Sequence, residues 1–142
     1  MFYLCGIFSL NLIFDNKHFL ISMPTTPTEV TLFLQDFKFK SKIFDIFYID
    51  ERRKNTQTLL DLELPANIRD KIIFNLDVEN YSEGPIPDLM GAYSMGDLWV
   101  FGALYKRKQE VYIKIQMGVP NSSTICISFH LAEHPMTYPF RI

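Results

Sequence analysis

The sequence has few of the features that mark secreted or strongly basic proteins. Cys5 and Cys126 are the two cysteines in 142 residues, which excludes a disulfide framework and suits a reducing cytoplasm better than an oxidising compartment. Neither sign of charge is in large excess, since the sequence has 14 Lys and Arg against 16 Asp and Glu and a net charge of -2. A nonspecific polyanion binder usually carries a large basic excess, so the composition as a whole argues against that class.

Long apolar runs are scarce outside the N-terminal segment, which is apolar up to Phe14 apart from Ser9 and Asn11. A bilayer needs about 20 apolar residues, and a secretory signal needs a positive start and a small-residue cleavage site. We therefore expect no membrane partner and a cytoplasmic protein. Residues 1–22 are interpreted as an apolar leader upstream of a natural start at Met23, and residues 23–142 as a single domain. An extra strand or helix docked on the domain is the second interpretation, and a membrane segment is the third.

Motifs for metals and cofactors are missing as well. The cysteines form no C-x-x-C pair, and the glycines form no phosphate-binding loop. His130, Glu133 and His134 match the H-x-x-E-H pattern of some zinc proteases. That pattern needs a helix to bring both histidines to one side, whereas residues 124–130 alternate like a strand and Pro135 stops a helix. We therefore expect neither a metal nor a cofactor.

Helical periodicity is present in the first half of the domain. Thr25, Thr26 or Thr28 can cap a first helix that has Glu29 near its first turn. Its apolar residues fall at i, i+3, i+4 and i+7, and they are Val30, Phe33, Leu34 and Phe37. This spacing predicts one buried helical face.

Shorter elements follow this helix. Residues 43–49 form a β-rich run, and Asn55 or Thr56 can cap a short helix through Leu62. Pro65 suits the first turn of a third helix, whose apolar residues are Ile68, Ile72, Ile73 and Leu76. Residues 81–97 contain several glycines and prolines and are predicted to be a long loop, a feature that is often functional in compact domains.

The last third of the chain alternates between apolar and polar residues, as strands do. Three runs, at residues 98–105, 110–117 and 124–131, are separated by turn-like segments, which predicts an antiparallel meander. Helices first and strands last indicate an α+β fold, with N-terminal helices packed on a C-terminal antiparallel β-meander.

Alternation in the last two strands also predicts which side chains share a face of the sheet. The polar set is Tyr112, Lys114, Gln116, Cys126, Ser128 and His130. Keeping the apolar residues together on the other face places Tyr112 opposite His130 and Lys114 opposite Ser128. A tyrosine, a lysine and a histidine then meet on one face. The plainer interpretation is that this face is simply solvated, as one face of an antiparallel sheet commonly is.

Charge is distributed unevenly along the chain. The part from Leu98 onward carries Lys106, Arg107, Lys108, Lys114 and Arg141 against Glu110 and Glu133. A phosphate-bearing ligand would prefer this basic half. The three adjacent bases at residues 106–108 are either a phosphate contact or a solvated turn.

Three stretches of the chain resemble the MqsR family of bacterial toxins. Residues 76–83, Leu-Asp-Val-Glu-Asn-Tyr-Ser-Glu, are similar to the family's Leu-(x)3-Asp-Phe-Tyr-Lys stretch, and Asp97-Leu98-Trp99 resembles its short tryptophan motif. Residues 111–115 and 127–130 are similar to its final strands, Val-Tyr-Leu-Lys and Val-Ser-Phe-Lys. The common order and spacing extend the resemblance from about Leu59 to Phe129.

The resemblance implies a RelE-like α+β fold and the toxin component of a toxin–antitoxin pair, an endoribonuclease that cleaves mRNA. It also implies a cognate antitoxin with a helix-turn-helix and a zinc-binding module. The family's strand tyrosine is present as Tyr112, whereas its loop lysine falls on Glu83, its glutamine on Val100 and its last lysine on His130. The candidate RNA contacts are Lys106, Arg107, Lys108, Trp99 and Gln116.

Metal-free RNA cleavage needs a base for the 2′-hydroxyl proton, a cation beside the phosphate and an acid for the departing 5′-oxygen. We assign these roles to Glu83 as base, to Lys114 and the tip at residues 106–108 as the cations that hold the phosphate, and to His130 as acid, with Tyr112 orienting the substrate. Dependence on the 2′-hydroxyl would restrict the enzyme to RNA. The alternative is a non-catalytic protein-interaction domain related to such toxins.

Overall fold

The computed structural model describes residues 23–89 and 96–142. The predicted leader at residues 1–22 and the middle of the predicted loop, residues 90–95, lie outside the described residues. The elements are α1 (Pro27–Phe44), β1 (Ile46–Tyr48), α2 (Arg53–Asp61), α3 (Ala66–Phe74), β2 (Tyr81–Ile86), β3 (Leu98–Tyr105), β4 (Gln109–Gln116) and β5 (Thr124–Leu131). A 3-10 turn at Val78–Asn80 precedes β2. The α+β class is confirmed. None of the described helices has the length and apolar character needed to cross a membrane.

Helix α1 begins where the threonines predict. Thr26 is the N-cap: its hydroxyl accepts the Glu29 backbone N–H at 3.2 Å, and the Glu29 carboxylate accepts the Thr26 N–H at 2.9 Å, which is a capping box. All four residues of the predicted apolar stripe are buried. The helix extends to Phe44, so the predicted β run at residues 43–49 is too long at its start. Asp45 ends the helix with φ 66° and donates its N–H to the Ser41 carbonyl at 2.8 Å.

Of the next two helices, one begins differently from its prediction. Helix α2 starts at Arg53 without a side-chain cap, so the prediction that Asn55 or Thr56 caps it is wrong. Asn55 lies in the first turn and is buried, because its side chain faces the sheet. Helix α3 starts directly after Pro65, as predicted, and the core includes Ile73 from its apolar stripe.

The five strands form one mixed sheet in the order β1-β5-β4-β3-β2. The predicted meander of β3, β4 and β5 is confirmed, and β1 adds a parallel pair beside β5. The predicted loop at residues 81–97 is wrong in its first part, because residues 81–86 form β2, antiparallel to β3. Gly84 and Pro85 look like loop residues in the sequence, but an edge strand tolerates both, and the register of β2 shifts on both sides of Glu83.

The register between β4 and β5 confirms the two predicted pairs, Tyr112 with His130 and Lys114 with Ser128. Beyond Lys114 a β-bulge shifts the register by one residue, so that Ile115 pairs with Cys126. Cys126 therefore lies in the core and not on the polar face as predicted. Its thiol is fully buried, and burial raises its pKa.

The core lies between the helices and one face of the sheet. Phe33 of α1 stacks on Trp99 of β3 with ring centroids 4.4 Å apart, and Phe101 lies in the same cluster. The helical layer therefore covers this face, and the opposite face of the sheet carries the polar side chains.

Helix α2 covers the part of β5 that β1 does not reach. The Asn55 side chain accepts the Phe129 N–H at 3.0 Å and donates to the Ile127 carbonyl at 3.1 Å. The Thr58 hydroxyl accepts the Leu131 N–H at 3.0 Å. Side chains of a helix thus satisfy a strand edge that would otherwise invite another strand. They fix the part of β5 that carries His130.

Candidate functional site

Two rows of side chains cross the polar face of the sheet. The first row is Glu83, Val100, Lys114 and Ser128, and the second is Gly102, Tyr112 and His130. Paired residues on neighbouring strands lie about 5 Å apart. Each row therefore brings together side chains from distant parts of the sequence.

A pocket of about 390 Å³ opens over these two rows. All four predicted catalytic residues, Glu83, Tyr112, Lys114 and His130, line it. One further wall comes from Arg52, and another from residues 133–137 of the C-terminal segment. The structure therefore brings the predicted catalytic set into one concave site.

His130 is held in a defined orientation. Its ring stacks on Tyr112 with centroids 5.1 Å apart and planes 11° apart. Its Nδ1 lies 2.9 Å from the Leu131 carbonyl oxygen, and because a carbonyl only accepts hydrogen bonds, Nδ1 carries a proton. Nε2 is then the ring nitrogen that can exchange a proton with a ligand.

Tyr112 and Lys114 are both half-buried, and burial shifts their pKa values in directions that suit different roles. Burial, followed by the charge of Glu83, raises the pKa of Tyr112, so the phenol stays neutral and can donate a hydrogen bond. Burial, followed by the charge of Arg52, lowers the pKa of Lys114. The Lys114 Nζ lies 5.9 Å from the centre of the Tyr112 ring, near the limit of a cation–π contact.

Arg52 is a site residue that the sequence analysis did not assign. Its Nη1 donates to the Ser128 hydroxyl at 3.1 Å and to the Ile127 carbonyl at 3.3 Å. The turn before it is anchored by a bidentate ion pair between buried Arg69 and Asp50, with N–O distances of 2.7 and 3.1 Å. In the sequence, Arg52 belongs only to a charged turn. Its contact with the Ile127 carbonyl depends on the β-bulge in β5, and a bulge follows from strand pairing and not from a local sequence pattern.

The pocket is lined by two cations, Arg52 and Lys114, and by two carboxylates, Glu83 and Glu133. Glu133 pairs with Lys54 at 2.6 Å, and this hydrogen bond lowers the pKa of the Glu133 carboxyl. Within residues 23–89 and 96–142, neither Arg52 nor Lys114 forms a salt bridge. Two cations and the exposed Glu83 carboxylate are therefore available to a ligand that enters the pocket.

The C-terminal segment is fixed against the sheet beside the pocket. The Tyr138 hydroxyl donates to one Glu110 oxygen at 2.6 Å, and the Met136 N–H donates to the other at 3.2 Å. The segment approaches the sheet at Gly102, where a Cβ would overlap the Tyr138 hydroxyl and lie 2.8 Å from the Met136 sulfur. Glycine is therefore required in β3 for this wall to form.

Two predicted RNA contacts lie away from the pocket. Trp99 is 8% exposed and packs in the core on the opposite face of the sheet, so it cannot stack on a base. Gln116 is fully buried, and its amide donates to Asp88 at 3.0 Å and to the Gly96 carbonyl at 2.8 Å. The expectation that these two side chains contact RNA is not supported by their positions.

The predicted basic contacts Lys106, Arg107 and Lys108 form the exposed tip between β3 and β4. Lys106 and Arg107 adopt φ values of 52° and 67°, the left-handed conformation that a tight hairpin requires. The three side chains do not line the pocket. Arg52 therefore accompanies Lys114 in the site, and the tip does not.

The H-x-x-E-H residues adopt the conformation that the sequence analysis favoured over a zinc-binding helix. His130 lies in strand β5, and Glu133 and His134 follow in the segment after it. Among the residues that the structure describes, no three His, Cys, Asp or Glu side chains are grouped so that they could hold a metal ion.

No protein-family model, curated protein or solved structure matches this chain. Its function must therefore be argued from the chemistry of the site.

Proposed function

We propose that the chain is a metal-independent endoribonuclease with a RelE-like fold, the toxin component of a toxin–antitoxin system that cleaves mRNA by attack of the 2′-hydroxyl. The observation that carries this proposal is the grouping of the Glu83 carboxylate, two cations, the neutral Tyr112 phenol and the His130 imidazole around a single pocket, which Glu133 and His134 also line. These are the groups that metal-free phosphodiester cleavage requires.

The proposed reaction uses Glu83 and His130 as base and acid. The Glu83 carboxylate takes the proton of the 2′-hydroxyl, the O2′–P bond forms, and the P–O5′ bond breaks. His130, with a proton on each ring nitrogen, donates the Nε2 proton to the departing O5′, and afterwards Glu83 gives up its proton and His130 regains one through water. The products are a 2′,3′-cyclic phosphate and a 5′-hydroxyl, and no co-reactant is consumed.

The placement of these two residues supports the assignment. An in-line displacement needs the base and the acid on opposite sides of the phosphorus atom. Glu83 lies on β2 and His130 on β5, three strands apart and two residues apart along the strand direction, a backbone separation of roughly 16 Å. Both side chains line the same pocket, so a phosphate between them has room for its substituents.

Lys114 and Arg52 would stabilise the charge on the phosphate. Lys114 lies in the central strand of the pocket floor, between Val100 and Ser128 in its row. Arg52 is held beside Ser128, so its remaining N–H groups can contact a second phosphate oxygen. Tyr112, neutral because its pKa is raised, would donate a hydrogen bond that orients the substrate.

The test is incubation of the purified chain with single-stranded RNA in EDTA. We expect cleavage that leaves 2′,3′-cyclic phosphates and that stops at any position where the ribose is 2′-deoxy. Glu83→Gln should lower the rate by about 10²–10⁴-fold, while the exposed control Glu79→Gln should not change it. Intact RNA, or products that end in a 3′-hydroxyl, would overturn the proposal.

The partner and location follow from the same proposal. A toxin of this kind would act in the cytoplasm and would be neutralised by an antitoxin with a helix-turn-helix and a zinc-binding module. We expect an adjacent reading frame to encode a protein with these two modules. Co-expression of that protein should relieve the growth arrest that the chain causes. Growth arrest that persists unchanged with His130→Ala would instead favour a non-catalytic interaction domain.

A further inference from the structure

A second pocket, of about 490 Å³, lies beside the first, between α2 and the end of β5. His130 and Glu133 line both pockets. The helix contributes one face to the second pocket, with residues at i, i+1, i+4, i+5 and i+8, namely Arg53, Lys54, Gln57, Thr58 and Asp61. The imidazole of the proposed acid is therefore a shared wall.

The floor of the second pocket suits a flat ring. Tyr112, on β4, covers one face of the His130 ring. Helix α2 lies on the other side of β5, where Thr58 bonds to Leu131. The second face of the imidazole is therefore turned toward α2, and because His130 is only 9% exposed, an edge of its ring, with the Leu131 side chain beside it, forms the floor. A nucleobase can lie against this partly apolar floor.

The rim of the second pocket offers hydrogen-bond acceptors. The Gln57 amide Nε2 donates to Asp61 Oδ1 at 2.8 Å. This bond fixes the amide so that Gln57 Oε1 and Asp61 Oδ2 stay available as acceptors. Cytosine, adenine and guanine carry an amino group that can donate to such acceptors, whereas uracil presents carbonyl oxygens there.

The boundary between the pockets can admit a chain. His130 and Glu133 line both pockets, and Glu133 forms an ion pair with Lys54 of the second pocket, the two side chains being 56% and 58% exposed. An exposed ion pair is worth at most about 1 kcal/mol, so a backbone phosphate can displace Glu133 from Lys54. One strand can then pass from the first pocket into the second.

We propose that the second pocket is a nucleobase subsite that selects an amino-bearing base next to the scissile phosphate. This inference rests on the proposed function, since it takes the first pocket as the place of cleavage. An edge of the His130 ring and the Leu131 side chain form its floor, and Asp61 with Gln57 reads the amino group.

The test is the binding of 2′-O-methyl trinucleotides, which cannot undergo 2′-hydroxyl attack. Cytidine and uridine trimers are a matched pair, because the bases have the same size and differ in an amino group against a carbonyl. We expect the cytidine trimer to bind about tenfold more tightly. Asp61→Asn should abolish this preference, and Asp36→Asn, an exposed carboxylate on α1, should preserve it.

Two variants of His130 separate this inference from the proposed function. His130→Phe keeps an aromatic ring in the floor and removes the proton donor, so it should lose cleavage and retain the preference for cytidine. His130→Ala should lose both. Equal binding of the two trimers, no binding of either, or a preference that survives Asp61→Asn would overturn the subsite. A cytidine preference without any RNA cleavage would leave the subsite in place and overturn only the ribonuclease.

Discussion

Tyr112 and His130 stack across β4 and β5, with ring centroids 5.1 Å apart and ring planes 11° apart. This stack covers one face of the imidazole, and the Leu131 carbonyl occupies its Nδ1. A single ring atom, Nε2, is left for proton transfer. The orientation of His130 therefore depends on β5 being held in register with β4.

Loss of Asn55 tests how α2 holds β5. Asn55→Ala removes hydrogen bonds to Ile49, Ile127 and Phe129 and leaves a buried backbone N–H without its partner. We expect the free energy of unfolding in urea to fall by about 2–4 kcal/mol. Thr56→Ala, one position along the helix, should cost less than about 0.5 kcal/mol. Equal effects of the two substitutions would show that α2 does not secure the strand.

Lys114 tests the electrostatics of the pocket. If it contacts one phosphate, Lys114→Met should weaken binding of non-cleavable RNA uniformly across sequences and reduce the slope of log affinity against log salt by about 0.7. Lys71→Met, on the exposed side of α3, should change neither quantity. An unchanged salt slope for Lys114→Met would contradict the phosphate contact.

The lowered pKa of Lys114 gives a pH dependence with a definite sign. Folding disfavours the charged form, so the unfolded chain binds more protons between the lowered pKa and 10.5. Stability therefore rises with pH in that window, while RNA affinity falls as the cation is lost. Lys114→Arg should keep its charge and shift the loss of affinity to higher pH. Affinity profiles that coincide for wild type and Lys114→Arg would contradict this explanation.

The fluorescence of Trp99 should respond to the packing of the core and not to a ligand in the pocket. Trp99 is the single tryptophan and stacks on Phe33 beneath the sheet. We expect its emission to resist acrylamide quenching and to keep its wavelength when RNA binds. Trp99→Phe should lower stability by about 1–3 kcal/mol with RNA affinity unchanged. A shift of the emission maximum at saturating RNA would contradict the placement of Trp99 in the core.

Gly102 tests the wall formed by the C-terminal segment. Gly102→Ala places a methyl group where the Tyr138 hydroxyl lies, and we expect a loss of about 1–3 kcal/mol in urea unfolding. In a Tyr138→Ala background the same substitution should cost less than about 1 kcal/mol, since the overlapping group is gone. Additive costs would show that the segment does not pack on Gly102.

The local parts of the fold could be predicted from the sequence. The stripe from Val30 to Phe37 follows helical spacing, and the alternation of β4 and β5 is regular enough to pair Tyr112 with His130. Both inferences depend on periodicity within one element or across one hairpin. That is why three of the four proposed catalytic residues, Tyr112, Lys114 and His130, could be placed on one face before the structure was known, whereas Glu83 was predicted to lie in a loop.

The parts that depend on distant pairing could not be predicted. The β5 bulge turns Cys126 into the core and presents the Ile127 carbonyl to Arg52, and neither outcome leaves a periodic signal. Strand β2 was hidden by Gly84 and Pro85, which are tolerated because β2 is an edge strand. Trp99 belongs to the residues of β3 that face the core, whereas Val100 faces the pocket.

The most direct test of the account is the rate of RNA cleavage by His130→Ala in EDTA. We expect wild-type protein to cleave RNA without a metal, His130→Ala to be about 10²–10⁴-fold slower, and the exposed control Lys71→Ala to match wild type. Circular dichroism should show that all three proteins are folded. Equal rates for wild type and a folded His130→Ala would contradict the assignment of His130 as the acid and, with it, the proposed mechanism.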